Sequence, residues 1–232
     1  MKILLTGGTG FIGKNFISKN YKNKKYQIFS IQRSKKNRSK NINNISCDLS
    51  NKKKLISIIN DINPSLIIHF AWQGIPNFNK SNCKKNLKIS KNLIDAALQN
   101  KSCKKIIITG TCKEYEGING YCRENMRLKP QSDFAKTKAK ILEYLKFKAH
   151  NNQKIDWYWI RIFYIYGLHQ RAMSLIPYCI KKIKNNKNFE LNNYDQANDY
   201  INIKFLLKTI NSIATKKIKK GVYNLGSSDI KT

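Results

Sequence analysis

The chain has 232 residues, of which 41% are hydrophobic and 11% aromatic, and its formal net charge is +32. This length and composition fit one α/β domain with a full core, or such a domain with a small appendage, and exclude a disordered chain. No apolar stretch approaches the length of a membrane span, and the apolar run at the N-terminus is too short for a signal peptide. We therefore expect a cytoplasmic protein with no membrane partner.

The positive charge comes mostly from lysines that are spread along the whole chain, together with abundant asparagine and isoleucine. Aromatic residues do not alternate with the basic runs at 52–54 and 216–220, as they would on a surface that stacks bases. The charge indicates a solvated basic surface and no specific nucleic-acid partner, with a nucleic-acid face as the less favoured alternative. It would raise the encounter rate with any polyanionic ligand.

Six cysteines and three histidines are scattered without the spacing of a disulfide framework or a metal site. We interpret the cysteines as free thiols and expect no metal.

Apolar, isoleucine-rich runs alternate with amphipathic segments as far as residue 167. Strands are predicted at 2–6, 26–32, 66–70, 105–109 and 157–164, and helices at 11–20, 53–59, 82–100, 133–148 and 174–184. Nearly continuous apolar runs are typical of parallel strands covered on both faces, and the alternation indicates right-handed βαβ units in a doubly wound sheet. Beyond residue 167 the pattern predicts a short strand near 189–191, a helix near 204–213 and a strand at 222–225.

A glycine-rich turn, residues 7–13, joins the first predicted strand to the first helix. Gly8, Gly10 and Gly13 satisfy G-x-G-x-x-G, and Gly7 extends it to the wider G-x-x-G-x-x-G spacing. Glycines permit the tight turn and let a pyrophosphate approach the backbone, where the helix N-terminus offers N–H groups. The predicted cofactor contacts in this turn are Gly7, Gly10, Phe11, Ile12 and Gly13.

The acidic residue expected roughly 20 positions later, at the end of the second strand, is absent. Arg33 and Lys35 stand there instead. Without a carboxylate to bind the ribose 2′-OH, a 2′-phosphate is accommodated by these cations. The segment therefore predicts NADP(H) in preference to NAD(H), the alternative being that Arg33 is one more surface cation.

Residues 6–13 read TGGTGFIG, which closely resembles the signature of the extended short-chain dehydrogenases/reductases, the NAD-dependent epimerase/dehydratase family. Further segments resemble that family in the family's own order. The resemblance implies that Asp48 and Leu49 lie at the adenine and that residues 70–72 lie along the cofactor. The residues that it adds to the cofactor set are Asp48, Leu49, Phe70, Ala71, Trp72, Asn86 and Lys138.

Residues 109–115 resemble the family's catalytic Ser/Thr segment, in the form found in nucleotide-sugar 4-ketoreductases such as CDP-abequose and CDP-paratose synthases. The resemblance implies that Thr111 hydrogen-bonds the sugar oxygen and that Lys138 holds the nicotinamide ribose. The family's Tyr-x-x-x-Lys motif reads Phe134-Ala-Lys-Thr-Lys138 here, so the tyrosine that transfers a proton is replaced. Tyr115, Tyr121 or an ordered water are the candidate substitutes.

The resemblance implies an α/β fold, with a Rossmann doubly wound parallel sheet over 1–167 and a small, truncated C-terminal substrate-binding lobe over 168–232. It implies an NAD(P)-dependent ketoreductase, epimerase or dehydratase that acts on a nucleoside-diphosphate sugar and is impaired by Phe134. The alternative is a degenerate, non-catalytic dinucleotide-binding module or a fragment that acts with a partner. A homodimer is left open.

Overall fold

The computed structural model describes residues 1–33, 42–118, 120–152, 154–191 and 197–231. Its strands are β1 (Lys2–Thr6), β2 (Gln27–Gln32), β3 (Asn43–Ser46), β4 (Leu66–His69), β5 (Lys105–Thr111), β6 (Asp156–Ile162), β7 (Tyr164–Tyr166), β8 (Asn198–Asn202), β9 (Gly221–Leu225) and β10 (Ile230–Lys231). Its helices are α1 (Phe11–Asn20), α2 (Lys52–Ile62), α3 (Lys80–Gln99), α4 (Asp133–His150), α5 (Leu175–Lys184) and α6 (Ile203–Thr215), with a 3₁₀ turn at Cys112–Tyr115.

Seven parallel strands form the main sheet, in the order β3-β2-β1-β4-β5-β6-β9. The chain winds outwards from β1 to β3, returns to β4 on the other side of β1, and then winds outwards again. β1 and β4 therefore flank the point at which the direction of winding changes. In doubly wound sheets this point opens a crevice at the carboxyl ends of the strands, which is where ligands bind.

Apolar side chains cover both faces of this sheet, as the continuous apolar strands predict. Along β1, Leu4 belongs to one core layer with α2, α3 and α4, whereas Ile3 and Leu5 belong to the other with α1 and α6. Both layers are buried, so the sheet is enclosed by helices on either side. Within the described part of the chain, no helix has the length and apolarity that crossing a bilayer requires.

A second, three-stranded sheet has the order β10-β8-β7. β7 and β8 run parallel, and β10 pairs antiparallel with β8. Helix α5 has no buried residue, and its apolar side chains include Leu175 and Ile183, which are exposed. The 168–232 segment also extends the main sheet, because β9 pairs with β6 and α6 packs on the core. The division at 167/168 stays a prediction.

The doubly wound parallel sheet is confirmed, and most predicted elements form within a few residues of the expected bounds. The strand predicted at 157–164 is divided, because the N–H of Phe163 bonds to Leu225 O on β9 and the chain then enters the smaller sheet as β7. The strand predicted at 189–191 is wrong, since those residues have no regular structure. β3 was not predicted, because its sequence, Asn-Asn-Ile-Ser, is largely polar. Such a sequence is tolerated here because the strand lies half-buried at the edge of the sheet.

Replacing Leu206, which is fully buried in α6, tests whether the C-terminal segment unfolds with the main sheet. We expect Leu206→Ala to lower the free energy of unfolding by about 2–5 kcal/mol, the usual effect of a cavity in a core. Chemical denaturation should still show one transition. The matched control is Phe205→Ala, at a side chain that is 63% exposed, for which we expect a change within about 0.5 kcal/mol. A separate early transition in the Leu206→Ala variant would contradict a single cooperative unit.

Candidate functional site

The glycine turn lies at the crevice beside β1 and β4, and its geometry admits no side chain at two positions. Gly7 has a φ of +77°, and a Cβ there would lie 2.6 Å from Ala71 N. A Cβ on Gly13 would lie 2.2 Å from Gly7 O. At Gly10 a Cβ would approach only Gly7 O, at 3.3 Å, so this side of the turn is open. The turn is thus closed towards the protein and open towards the crevice.

Helix α1 begins directly after Gly10, and no side chain of the described residues caps it. The first N–H groups of a helix have no partner within the helix and carry its positive dipole end. Here they face an open glycine turn rather than a capping side chain. The arrangement fits a pyrophosphate, which would bind in the open space beside Gly10. A side chain at this position would make that space smaller.

A cleft of about 280 Å³ extends from this turn. Of the predicted cofactor residues, those in its wall are Gly7, Gly10, Phe11, Ile12, Gly13, Arg33, Leu49, Phe70, Ala71 and Trp72. Gln32 and Cys47 also line it. The structure therefore brings together the glycine turn, the end of β2 and the segment after β4. Lys35, the second predicted cation, lies outside the described residues.

Asp48 and Asn86 support the cleft from outside its described wall. The Asp48 carboxylate accepts the N–H of Ser50 at 2.8 Å, and this bond, helped by the charge of Arg33, lowers the carboxyl pKa. Asn86 is fully buried, accepting the N–H of Gln73 at 2.7 Å and donating to Gln73 O at 2.9 Å. Asn86 therefore fixes the backbone that follows Trp72.

Phe134 lies in the first turn of α4 and packs within an aromatic cluster. Its ring centroid lies 4.8 Å from that of Trp72, edge to face, and 4.6 Å from that of Phe78. Phe134 therefore has two aromatic neighbours and no hydroxyl. The surroundings of the side chain at position 134 are thus apolar.

Lys138, one turn further along α4, is buried with its ammonium enclosed. Its Nζ donates to Thr109 O at 2.6 Å and lies 4.6 Å from the ring centroid of Trp72. Burial lowers the pKa of Lys138 to about 8, against the opposing effect of the Glu114 carboxylate. His69 is also fully buried, and burial together with the Lys138 charge lowers its pKa to about 3, so His69 is neutral.

Thr111 ends β5 and caps the 3₁₀ turn that follows. Its hydroxyl accepts the N–H of Lys113 at 3.3 Å, and its own N–H donates to Glu114 Oε1 at 2.9 Å. Thr111 is half-buried. Neither Thr111 nor Phe134 nor Lys138 belongs to the cleft wall among the described residues.

A buried ion pair behind Thr111 was not assigned a role from the sequence. Glu114 and Arg161 are 0% and 2% exposed, and Arg161 Nε lies 2.8 Å from Glu114 Oε2. Trp159 Nε1 donates to the same carboxylate at 3.0 Å. The sequence does carry one indication of this ion pair, namely an arginine inside the apolar strand β6. A buried cation needs an acidic partner.

The two tyrosines proposed as substitute acids lie in very different surroundings. The Tyr115 hydroxyl accepts from Arg161 Nη1 at 2.6 Å and lies 2.8 Å from Asn224 Oδ1, and burial raises its pKa. Tyr121 is 87% exposed. Tyr115 is thus held within the ion-pair network and is poorly suited to donate a proton, whereas Tyr121 projects into solvent.

The fold and this glycine turn agree with a family comparison. A model of the NAD dependent epimerase/dehydratase family matches residues 3–226. The chain belongs to this family.

The chain is similar to two proteins with enzyme names and to one solved structure. GDP-6-deoxy-D-talose 4-dehydrogenase of Aggregatibacter actinomycetemcomitans is 25% identical over 235 residues, covering 97% of this chain and 74% of the relative. CDP-abequose synthase of Salmonella muenchen is 28% identical over 117 residues, covering 50% of this chain and 35% of that protein. UDP-glucose 4-epimerase of Thermotoga maritima, solved with UDP-glucose, has a TM-score of 0.87 at 20% identity over 100% of this chain and 78% of that chain. This likeness confirms the expected fold.

The buried position of Lys138 predicts a pH-dependent contribution to stability. The folded pKa of about 8 lies below the ordinary lysine value of 10.5. Between these pH values the unfolded chain binds more protons than the folded chain, so the free energy of unfolding increases as pH rises. We expect the free energy of unfolding of Lys138→Met, relative to that of the wild type, to be highest below pH 8. This difference should decrease towards pH 10.5, by at most about 3 kcal/mol.

Chemical denaturation of both proteins at several pH values measures this difference. Lys140→Met, at an exposed lysine of the same helix, is the matched control and should show a much flatter difference. A flat difference for Lys138→Met would mean that the ammonium is not desolvated as the structure places it.

Proposed function

We propose that the protein is an NAD(P)-dependent oxidoreductase of the ketoreductase, epimerase or dehydratase type that acts on a nucleoside-diphosphate sugar. The observation that carries the proposal is the open glycine turn at the N-terminus of α1, facing a cleft that the ends of β2 and β4 complete. Family membership supports the reaction class. The names of the two relatives, which refer to GDP- and CDP-linked sugars, support a nucleoside-diphosphate sugar as the substrate class.

The described residues fit a dinucleotide in defined roles. The N–H groups at the start of α1 would bind the pyrophosphate, while Arg33 and Leu49 would lie at the adenosine end. The dinucleotide, when bound, supplies the hydride acceptor or donor. Thr111 would hydrogen-bond the sugar oxygen, and Lys138 would carry the positive charge near the reacting groups.

NADP(H) is the favoured form because of the side chains at the end of β2. Gln32 provides a neutral amide where an acidic residue would repel a 2′-phosphate, and Arg33 beside it is exposed at the cleft mouth, with Nη1 3.4 Å from Gln73 Oε1. A guanidinium can leave this long contact for a phosphate at little cost, since charge-assisted bonds to phosphate are stronger. The family description names NAD, so this preference depends on Arg33 rather than on the family.

Titration of NADPH and NADH by calorimetry tests this preference. We expect NADPH to bind more tightly, and Arg33→Asp to shift the preference towards NADH because a carboxylate repels the 2′-phosphate and accepts the ribose hydroxyl. Arg171→Asp makes the same charge change outside the cleft wall and should leave the ratio unchanged. Equal or inverted affinities in the wild type would contradict the NADP(H) assignment.

Restoring the hydroxyl at position 134 tests the catalytic part of the proposal. With saturating NADPH and a 4-keto nucleotide sugar, we expect Phe134→Tyr to raise turnover by roughly 10²-fold or more, the scale of a positioned general acid. Lys138→Ala in the tyrosine variant should remove most of this gain, because its ammonium stabilises the phenolate. NADPH affinity, measured separately, should hardly change.

Two outcomes would contradict this account of Phe134. Wild-type turnover at an ordinary rate would show that another proton donor serves the reaction. A Phe134→Tyr variant that binds NADPH but remains inert towards a panel of 4-keto nucleotide sugars would favour the second candidate function, a non-catalytic dinucleotide-binding module. The aromatic packing of Phe134 against Trp72 and Phe78 is the observation that favours this second candidate.

A further inference from the structure

Trp72 is the residue that the cleft and the Lys138 region share. Its side chain belongs to the cleft wall, and it also packs edge to face on Phe134. The Lys138 ammonium lies 4.6 Å from its ring centroid, within the range of a cation–π contact. Phe134 and Lys138 are outside the described cleft wall, so Trp72 is a wall residue that contacts both of them.

At the proposed adenosine end of the cleft, the described residues include no aromatic contact comparable to that of Trp72. Its walls are the glycine turn, the end of β2 and the Cys47–Leu49 segment, and Gly10 leaves the phosphate position open. The cleft volume of about 280 Å³ lies just below the roughly 300–1,000 Å³ range of ligand sites. A cleft of this volume suits part of a dinucleotide better than the whole.

The position of Trp72 also leaves one of its own groups unsatisfied. Its indole N–H is buried and has no hydrogen-bond partner among the described residues. An unpaired buried donor is costly, and tryptophan usually finds a partner when buried. The Trp72 side chain can therefore rotate out of this orientation when a hydrogen-bond acceptor, such as a ligand phosphate or hydroxyl, becomes available.

We propose that Trp72 determines which part of the cofactor the site recognises: the adenosine diphosphate half binds to the cleft as it stands, and the nicotinamide half enters only after Trp72 leaves Phe134 and Lys138. The inference rests on the proposed dinucleotide site. The stacked indole covers the ammonium that would otherwise meet the ribose, while the N–H groups of α1 remain free for the phosphates. Binding of the adenosine half is then separate from assembly of the reactive site.

Calorimetric titration with NADPH and with 2′-phospho-ADP, which lacks the nicotinamide riboside, tests this inference without any turnover. In the wild type the two ligands should bind within about threefold of each other, because the nicotinamide half must first displace Trp72. In Trp72→Ala the affinity for NADPH should exceed that for 2′-phospho-ADP by tenfold or more. Trp157→Ala, which removes a half-buried tryptophan on β6 outside the cleft wall, is the matched control and should keep the wild-type ratio.

Each outcome separates the inference from the proposed function. Wild-type binding of NADPH more than tenfold tighter than 2′-phospho-ADP, unchanged by Trp72→Ala, would overturn the role of Trp72 and leave the dinucleotide site intact. Binding of neither ligand to any variant would overturn the proposed function itself. Trp72→Leu keeps an apolar contact with Phe134 and replaces the alanine variant if that one unfolds. If both variants unfold, the ratio of the wild-type affinities for NADPH and 2′-phospho-ADP tests the inference by itself.

Discussion

The close approach of the glycine turn to the segment after β4 is the constraint on which the site depends. A Cβ on Gly7 would lie 2.6 Å from Ala71 N, so only a residue without a side chain lets these two backbones meet. Their meeting places the N-terminus of α1 at the crevice where the sheet changes its direction of winding. The same contact aligns residues 70–72 along the crevice. The phosphate position and the aromatic wall are thus set by one backbone contact.

The other end of the site depends on how two buried cations are compensated. Arg161 has a carboxylate at 2.8 Å and a hydroxyl at 2.6 Å, so its charge is paired within the core. Lys138 donates to a carbonyl at 2.6 Å and lies near aromatic rings and a more distant carboxylate, and burial lowers its pKa to about 8. The paired cation holds the Thr111 segment in place through Glu114. The incompletely compensated cation lies beside Phe134, and perturbed pKa values of this kind cluster at functional sites.

Phe134 and Trp72 together explain why the site supports both an enzyme and a binding module. The phenylalanine has no hydroxyl to donate a proton, and it supplies a ring on which Trp72 packs. The tryptophan in turn covers the ammonium. Under the proposed function, both side chains lie on the nicotinamide side of the site and away from the glycine turn. Cofactor recognition and hydride chemistry would then depend on different residues.

The sequence by itself determined the layered α/β fold and the glycine turn. Apolar periodicity and glycine spacing are local patterns, and each one directly favours a particular backbone conformation. It also indicated Thr111, Phe134 and Lys138 through their resemblance to family motifs. The edge strand β3 and the division of the 157–164 strand follow from pairing with distant segments, which periodicity does not contain. The Glu114–Arg161 pair and the contacts of Trp72 with Phe134 and Lys138 were decided only by tertiary structure. These residues lie 47, 62 and 66 positions apart in the sequence, and only packing of the parallel strands and α4 brings their side chains together.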